Sequence, residues 1–211
     1  MTESLDPTQA YDAAFASGRA DVVDAGGRTI PFDVHQWNGF PDIVDRSLFI
    51  EPCDGPTIDV GCGPGRIVGE LASRGIPSLG IDVSSEAVRQ ARGRGAYALC
   101  QDVFSHVPGE GEWAYALLAD GNVGIGGDPV RLLARVREVL SSTGHIIVEV
   151  EGHGVGLVHE QRRLRINGLD SVGFAWAVVG LDAIADVAEA AGLRVRETRT
   201  VGSRHAVTLM R

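Results

Sequence analysis

From residue 56 onward, short β-rich runs alternate with stretches whose apolar residues recur every three or four positions. That is the pattern of parallel strands joined by covering helices. The first run, Thr57-Ile58-Asp59-Val60, meets a glycine turn at Gly61 to Gly65. A helix follows from about Arg66 to Ser73, with Ile67, Val68 and Leu71 as its buried stripe and Gly75 ending it. Ser78 to Ile81 is the second strand, and Asp82 leads from it to a helix capped by Ser84 or Ser85. Ala96 to Leu99 and Trp113 to Leu118 are the third and fourth strands. Asp128-Pro129 reads as N-cap and first-turn proline of a helix ending near Leu140, with Leu132, Leu133, Val136 and Leu140 at helical spacing. The continuous apolar run His145 to Val150 has the character of a central strand buried on both faces.

Beyond Val150 the alternation breaks. Leu157 to Ile166 and Val172 to Val179 alternate arginine and aromatic residues with others, as an inserted hairpin or strand extension does. A last helix, about Leu181 to Ala191, precedes strands Leu193 to Thr200 and His205 to Met210. Only four residues, Val201 to Arg204, separate these two, too few for a crossover, so the final pair is antiparallel. The first 50 or so residues differ in kind, with a short amphipathic helix around Gln9 to Ala16, a polar turn at Gly26-Gly27 and a second helix after Pro41. They read as a cap over the strand ends.

Composition narrows the chemistry. All 19 basic residues are arginine, which excludes a lysine-bearing phosphate loop, Schiff-base chemistry and pyridoxal chemistry. Glycine reaches 28 of 211 residues without a Gly-X-Y period, so collagen is out and tight turns or ligand-hugging loops are in. A net charge of −9 argues against a nucleic-acid partner, despite arginine clusters at Arg131, Arg135, Arg137 and at Arg162, Arg163, Arg165. Cys53, Cys62 and Cys100 fit neither a disulfide framework nor a metal clip. With no leader-like apolar segment and no run near the ~18 residues that span a bilayer, the expectation is a cytoplasmic protein with no membrane partner.

The glycine turn Asp59-Val60-Gly61-Cys62-Gly63-Pro64-Gly65-Arg66 sits where bare backbone lets a ligand approach a helix N-terminus. Asp82 ends the next strand, where a carboxylate accepts both hydroxyls of a ribose, and Asp102 follows the third strand, within reach of an adenine amino group. A dinucleotide fingerprint would place glycine or alanine at position 66, but Arg66 stands there and the loop is G-x-G-x-G.

These residues resemble the first motif of class I S-adenosylmethionine-dependent methyltransferases. The resemblance runs over roughly residues 55–211, through Asp82, Asp102, the Ala114 to Gly121 strand end and the terminal hairpin. It implies an α/β, Rossmann-like three-layer sandwich with a seven-stranded, mostly parallel sheet of order 3-2-1-4-5-7-6 whose last strand is antiparallel. It also implies S-adenosyl-L-methionine as cofactor and a small-molecule methyl acceptor. Carried over by position, Gly61, Gly63 and Gly65 would line the methionine part, Asp59 would help hold its amino group, and Asp82 would hold the ribose. Val83 would lie against the adenine face, and Asp102 with the Val103 backbone would read its edge. Tyr11-Asp12 resembles the family's N-terminal lid pair, in which the ring closes over the cofactor; a helix aromatic packed on the core is the other reading. The chain then divides, as one domain over 1–211, into a helical cap (1–52), a cofactor-binding core (53–150), a substrate-side insertion (151–180) and a C-terminal helix and hairpin (181–211).

Without lysine, a base would be histidine, carboxylate or tyrosine. Asp120 follows the fourth strand in Ala119-Asp120-Gly121-Asn122, placed to face the methyl-donor centre, though an Asp-Gly turn explains it equally well; the Asp/Asn-Pro-Pro-aromatic tetrad that nucleic-acid and amide methyltransferases carry here is absent, which argues against those substrates. His153 and His159 follow the fifth strand on the substrate rim and His35 lies in the cap near Trp37, while His106, His145 and His205 read as structural or surface residues. Asp120, Asn122 and His153 lack metal-ligand spacing, so no metal is expected. Trp37, Phe40, Phe174 and Trp176 form an apolar acceptor pocket if cap and insertion meet, and Arg162, Arg163 and Arg165 either face an acidic substrate or make a solvated strand face. The expected function is methyl transfer to an oxygen, nitrogen or carbon nucleophile; a non-catalytic S-adenosylmethionine-binding module and an NAD-dependent oxidoreductase are the alternatives.

Overall fold

In the computed structural model, which describes residues 4–32 and 34–211, apolar side chains alternate across a central sheet so that both of its faces are buried. Ala116 and Leu118 of β6 (Trp113–Leu118), Ile146 and Val148 of β7 (Leu140–Val150) and Val207 and Leu209 of β12 (Arg204–Met210) point to one face. There they meet Leu132, Leu133 and Val136 of α6 (Pro129–Val139) and Ile184 and Val187 of α7 (Ile184–Ala190). The intervening Leu117, Ile147 and Ala206 point the other way. They pack on Ile67 and Leu71 of α4 (Arg66–Ser73) and on Leu48, Phe49 and Ile50, the π-helical continuation of the short α3 (Ile43–Asp45). Period-two alternation with both sets apolar requires two helical layers, the sandwich expected from the sequence.

The remaining strands are β3 (Thr57–Val60), β4 (Ser78–Asp82), β5 (Ala98–Cys100) and β11 (Arg194–Val201), with α5 (Ser85–Gly93) linking β4 to β5. Their order is β11-β12-β7-β6-β3-β4-β5. Counted along this sheet alone it is the expected 3-2-1-4-5-7-6, with β12 antiparallel to both neighbours. Gly202-Ser203 join β11 to β12, and a two-residue connection permits no other direction.

The cap departs from expectation. Helix α1 (Pro7–Ser17) is present with the capping box of Asp6 and Gln9, and α2 (His35–Asn38) is a single turn. Residues 20–32, however, form a hairpin of β1 (Ala20–Val23) and β2 (Thr29–Phe32), so the cap is not wholly helical. The hairpin does not stand alone. β1 pairs antiparallel with β8 (Leu157–Ile166), which pairs with β10 (Phe174–Val179) and with the short β9 (Leu169–Asp170). Cap and insertion therefore form one five-stranded sheet, β10-β8-β1-β2 with β9 beside β8. Pro31 masks β2 in the sequence, but β2 is an edge strand, where a residue without an N–H is tolerated.

Candidate functional site

The carboxyl ends of β3, β4, β5 and β6 make one rim, and the cap sheet stands over it. A cavity of about 580 Å³ lies between them. Its floor contains Asp59, Gly61, Gly63, Asp82, Val83, Asp102, Val103 and Asp120, all expected from the sequence.

Asp82 organises this floor. Its Oδ2 accepts from the Gly63 N–H at 2.9 Å and its Oδ1 from the Ser84 N–H at 2.8 Å, so one carboxylate ties the glycine turn to the start of α5. Burial pushes its pKa up against these two donors. Gly61 and Gly63 both have positive φ, and a Cβ on Gly61 would lie 2.6 Å from Asn122 Nδ2. Asn122 donates to the carbonyls of Val60 and Gly61 at 3.0 and 2.9 Å, a clamp on the turn whose spacing of some 60 residues gave no sequence signal. Gly65 has another task. It is absent from the cavity lining, and its Cβ would lie 2.7 Å from that of Ala91, so it admits close packing of α5.

Asp59 is buried, and its pKa is pushed up to about 7 by burial first and the nearby Asp120 second. Asp120 has a positive φ and follows β6 in a turn, while also joining a charge network around the buried Asp45 and Arg66. Arg66 pairs with Asp45 and, at 2.6 Å, with Asp120; Arg204 reaches Asp45 at 2.7 Å, Asp120 at 3.2 Å and Glu149 at 2.6 Å. Burial raises the Asp120 pKa and Arg66 opposes it. At Asp45 burial also pushes upward, but Arg66 and Arg204 outweigh it and hold the carboxyl below its ordinary range. Asp102 accepts from the Phe104 N–H at 2.9 Å, shaping its own turn as well as facing the cavity.

The roof is aromatic. Tyr11 lies 5.9 Å from Phe32 and 5.8 Å from Phe174 between ring centroids, and Trp37 is 4.7 Å from Phe32. Tyr11 lines the cavity and also packs in the cap core, with burial raising its pKa. Asp12 next to it accepts from Ser84 Oγ at 2.6 Å, Ser85 Oγ at 3.0 Å and the Glu86 N–H at 3.0 Å, fastening α1 to the N-terminus of α5.

Other expectations divide. Trp37, Phe174 and Trp176 line the cavity, but Phe40 is 91% exposed and does not. Among the described residues no histidine lines it. His153 is exposed outside the lining; His159 lines an adjacent groove, its Nδ1 2.8 Å from the Gly127 carbonyl oxygen. The side chain of His35 lies outside what the structure describes. Of the insertion arginines only Arg162 reaches the cavity; Arg163 is exposed and Arg165 pairs with Asp170 at the surface. Phe15, Val22 and Phe32 also line the cavity; the last two are aimed into it by the β1–β2 hairpin, which carries no clear alternation in the sequence.

Residues 58–144 match the family model of a methyltransferase domain. No curated protein matches the sequence. Solved structures are similar to the chain in fold. A methyltransferase from Bacteroides fragilis in complex with S-adenosyl-L-homocysteine superposes with a TM-score of 0.77 at 19% identity, covering 97% of this chain and 94% of that one. The 1,6-didemethyltoxoflavin-N1-methyltransferase of Burkholderia thailandensis, with bound 1,6-didemethyltoxoflavin and S-adenosylhomocysteine, gives 0.53 at 17%, covering 73% and 69%. A TehB-like methyltransferase from Corynebacterium glutamicum gives 0.56 at 21%, covering 80% and 87%. Among the described residues no helix is long and apolar enough to cross a membrane. Over residues 58–144 the sequence matches a methyltransferase domain, and the seven-stranded sheet carries the fold of these solved methyltransferases.

Proposed function

We propose that the chain transfers a methyl group from S-adenosyl-L-methionine to an oxygen, nitrogen or carbon of a small molecule. The observation that carries this reading is the continuity of one cavity from a carboxylate floor to an aromatic roof. Its volume falls within the roughly 300–1,000 Å³ usual for small-molecule sites.

The floor fits the cofactor by its donor set and its shape. Asp82 keeps acceptor capacity for a ribose diol beyond its two backbone bonds, Val83 offers an apolar face for adenine, and Asp102 with the Val103 backbone edges that face. A Cβ built on Gly63 would meet only Phe15, at 3.9 Å, which leaves open space for the methionine part beside Gly61 and Asp59. When bound, S-adenosylmethionine supplies an electrophilic methyl on a sulfonium that carries its own leaving group. The protein's task is then to orient the acceptor and exclude water. Tyr11 and the cap sheet serve that end by closing the cavity from above, with Asp12 as the fastening.

Asp120 is better suited to positioning than to proton removal, since Arg66 and Arg204 both hold it. The Burkholderia thailandensis neighbour, whose bound acceptor is a small molecule, supports the small-molecule reading. The test is transfer of labelled methyl from S-adenosylmethionine to a small-molecule extract. Labelled product is expected; no product alongside tight cofactor binding would favour a non-catalytic binding module.

A further inference from the structure

Among the described residues, two basic side chains line the cavity, and they belong to opposite halves of it. Arg66 is part of the floor and is bound by Asp45 and Asp120. Arg162 is part of the roof. Its guanidinium carbon lies 5.3 Å from the centroid of the Trp176 ring, and its Nε donates to Glu160 Oε2 at 2.7 Å. The two terminal nitrogens have no protein acceptor among the described residues. Glu160 lines the adjacent groove instead of this cavity, so it anchors the guanidinium from behind. A guanidinium held at Nε presents its other edge as a fork that matches two oxygens of an anion.

The surroundings favour a flat partner, because Tyr11, Phe174 and Trp176 offer ring faces and edges beside that fork. They also lack a free base. No histidine lines the cavity among the described residues, the chain has no lysine, Asp120 is held by two arginines, and the other lining carboxylates, Asp59, Asp82 and Asp102, are those assigned to the cofactor. A neutral hydroxyl beside the fork has no uncommitted base to take its proton, whereas an acceptor that arrives ionised needs none.

We propose that Arg162 selects a planar aromatic acid as methyl acceptor, bound as its anion with the charge on the guanidinium and the ring among Tyr11, Phe174 and Trp176. The proposal rests on the methyl-transfer reading above. Charge then alternates through the cavity, from floor carboxylates to the donor's sulfonium, the acceptor's anion and the roof guanidinium. An oxygen lone pair of the anion forms the new carbon–oxygen bond while the carbon–sulfur pair withdraws to sulfur. Cation and anion become a neutral thioether and a neutral methyl ester, and no proton has to leave. The product loses its charge and with it its hold on Arg162, which favours release.

The test begins with calorimetric titration of S-adenosylhomocysteine into the wild type; absence of binding there would sink the donor-site reading and this proposal with it. The loaded protein is then titrated with benzoate, 2-hydroxybenzoate and the neutral isostere benzamide by tryptophan fluorescence, and labelled methyl transfer to the same compounds is measured. The acids are expected to bind at least tenfold more tightly than the amide. Arg162→Met should weaken acid binding roughly ten- to a hundredfold with little change in S-adenosylhomocysteine affinity, and Arg162→Lys should restore part of it. An amide bound as well as the acids, acid binding unchanged in Arg162→Met, or no acid bound by the loaded wild type would each overturn the proposal. Should Arg162→Met not fold, Glu160→Gln carries the test. Glutamine keeps an acceptor for the Arg162 Nε while removing the competing charge, so acid affinity should rise severalfold, and unchanged or weaker binding contradicts the proposal.

Discussion

The two halves of the cavity are built by opposite means. Polar groups on the floor are positioned by specific partners: Asp82 by two backbone N–H groups, Asn122 by two carbonyls, Asp120 by two arginines. The roof is positioned by packing, with aromatic rings from α1, β2, α2 and β10 resting on one another. A hydrogen bond constrains both distance and direction, so the floor tolerates few arrangements. Apolar contact constrains volume more than direction, so the roof can be re-shaped for another acceptor while the floor keeps its ligand.

The largest expected effect comes from the floor's charge network. Arg66→Met leaves the buried Asp45, and Asp120 beside it, with half their compensation and should cost roughly 3–5 kcal/mol of stability, read by denaturant unfolding. A loss under about 1 kcal/mol would mean the network is solvated and the contrast with the roof overstated.

Next is a pH effect. The folded pKa of Asp59 lies near 7, above its unfolded value, so the stability linked to its protonated form is fully present below about pH 4 and is lost as pH rises through 7. Asp59→Asn should therefore flatten the decline in Tm between those limits. A wild-type profile that rises over this range, or an unaltered slope in the variant, would count against a neutral Asp59.

Asp82→Ala removes the tie of the glycine turn and the proposed ribose contact. S-adenosylhomocysteine affinity should fall roughly ten- to a hundredfold by calorimetry. Unchanged binding would place the ribose elsewhere. Asp12→Ala unfastens roof from floor at the start of α5, costing about 1 kcal/mol and raising the cofactor's dissociation rate, measurable by stopped-flow fluorescence. The smallest effect is expected at Phe40. Its replacement by serine should change stability by less than about 0.5 kcal/mol and leave both ligands unaffected, because the ring is in solvent.

Legibility followed the same division. The strands of the central sheet are apolar on both faces and separated by capped helices, so local pattern was sufficient for Thr57–Val60, Trp113–Leu118 and the helix from Pro129. The floor carboxylates were legible because each stands at a strand end, a position the chain dictates locally. Arg66 stands out in the sequence only as a departure from a fingerprint. Its partners Asp45 and Asp120 lie 21 and 54 positions away, and no spacing announces such a pair. Phe40 and Phe174 looked alike in sequence, yet one is in solvent and the other over the cavity.

By itself, then, the sequence determined the sheet, its antiparallel end, the glycine turn and the carboxylates around it, because periodicity and strand-end placement are local properties. Only the tertiary structure decided that residues 20–32 and 157–179 share one sheet, that Gly65 serves packing instead of lining, and that Arg162 faces inward while Arg163 and Arg165 do not. Those outcomes depend on which strand lies beside which. A strand's pleat sends alternate side chains to opposite faces, but its partner determines which face becomes the inside.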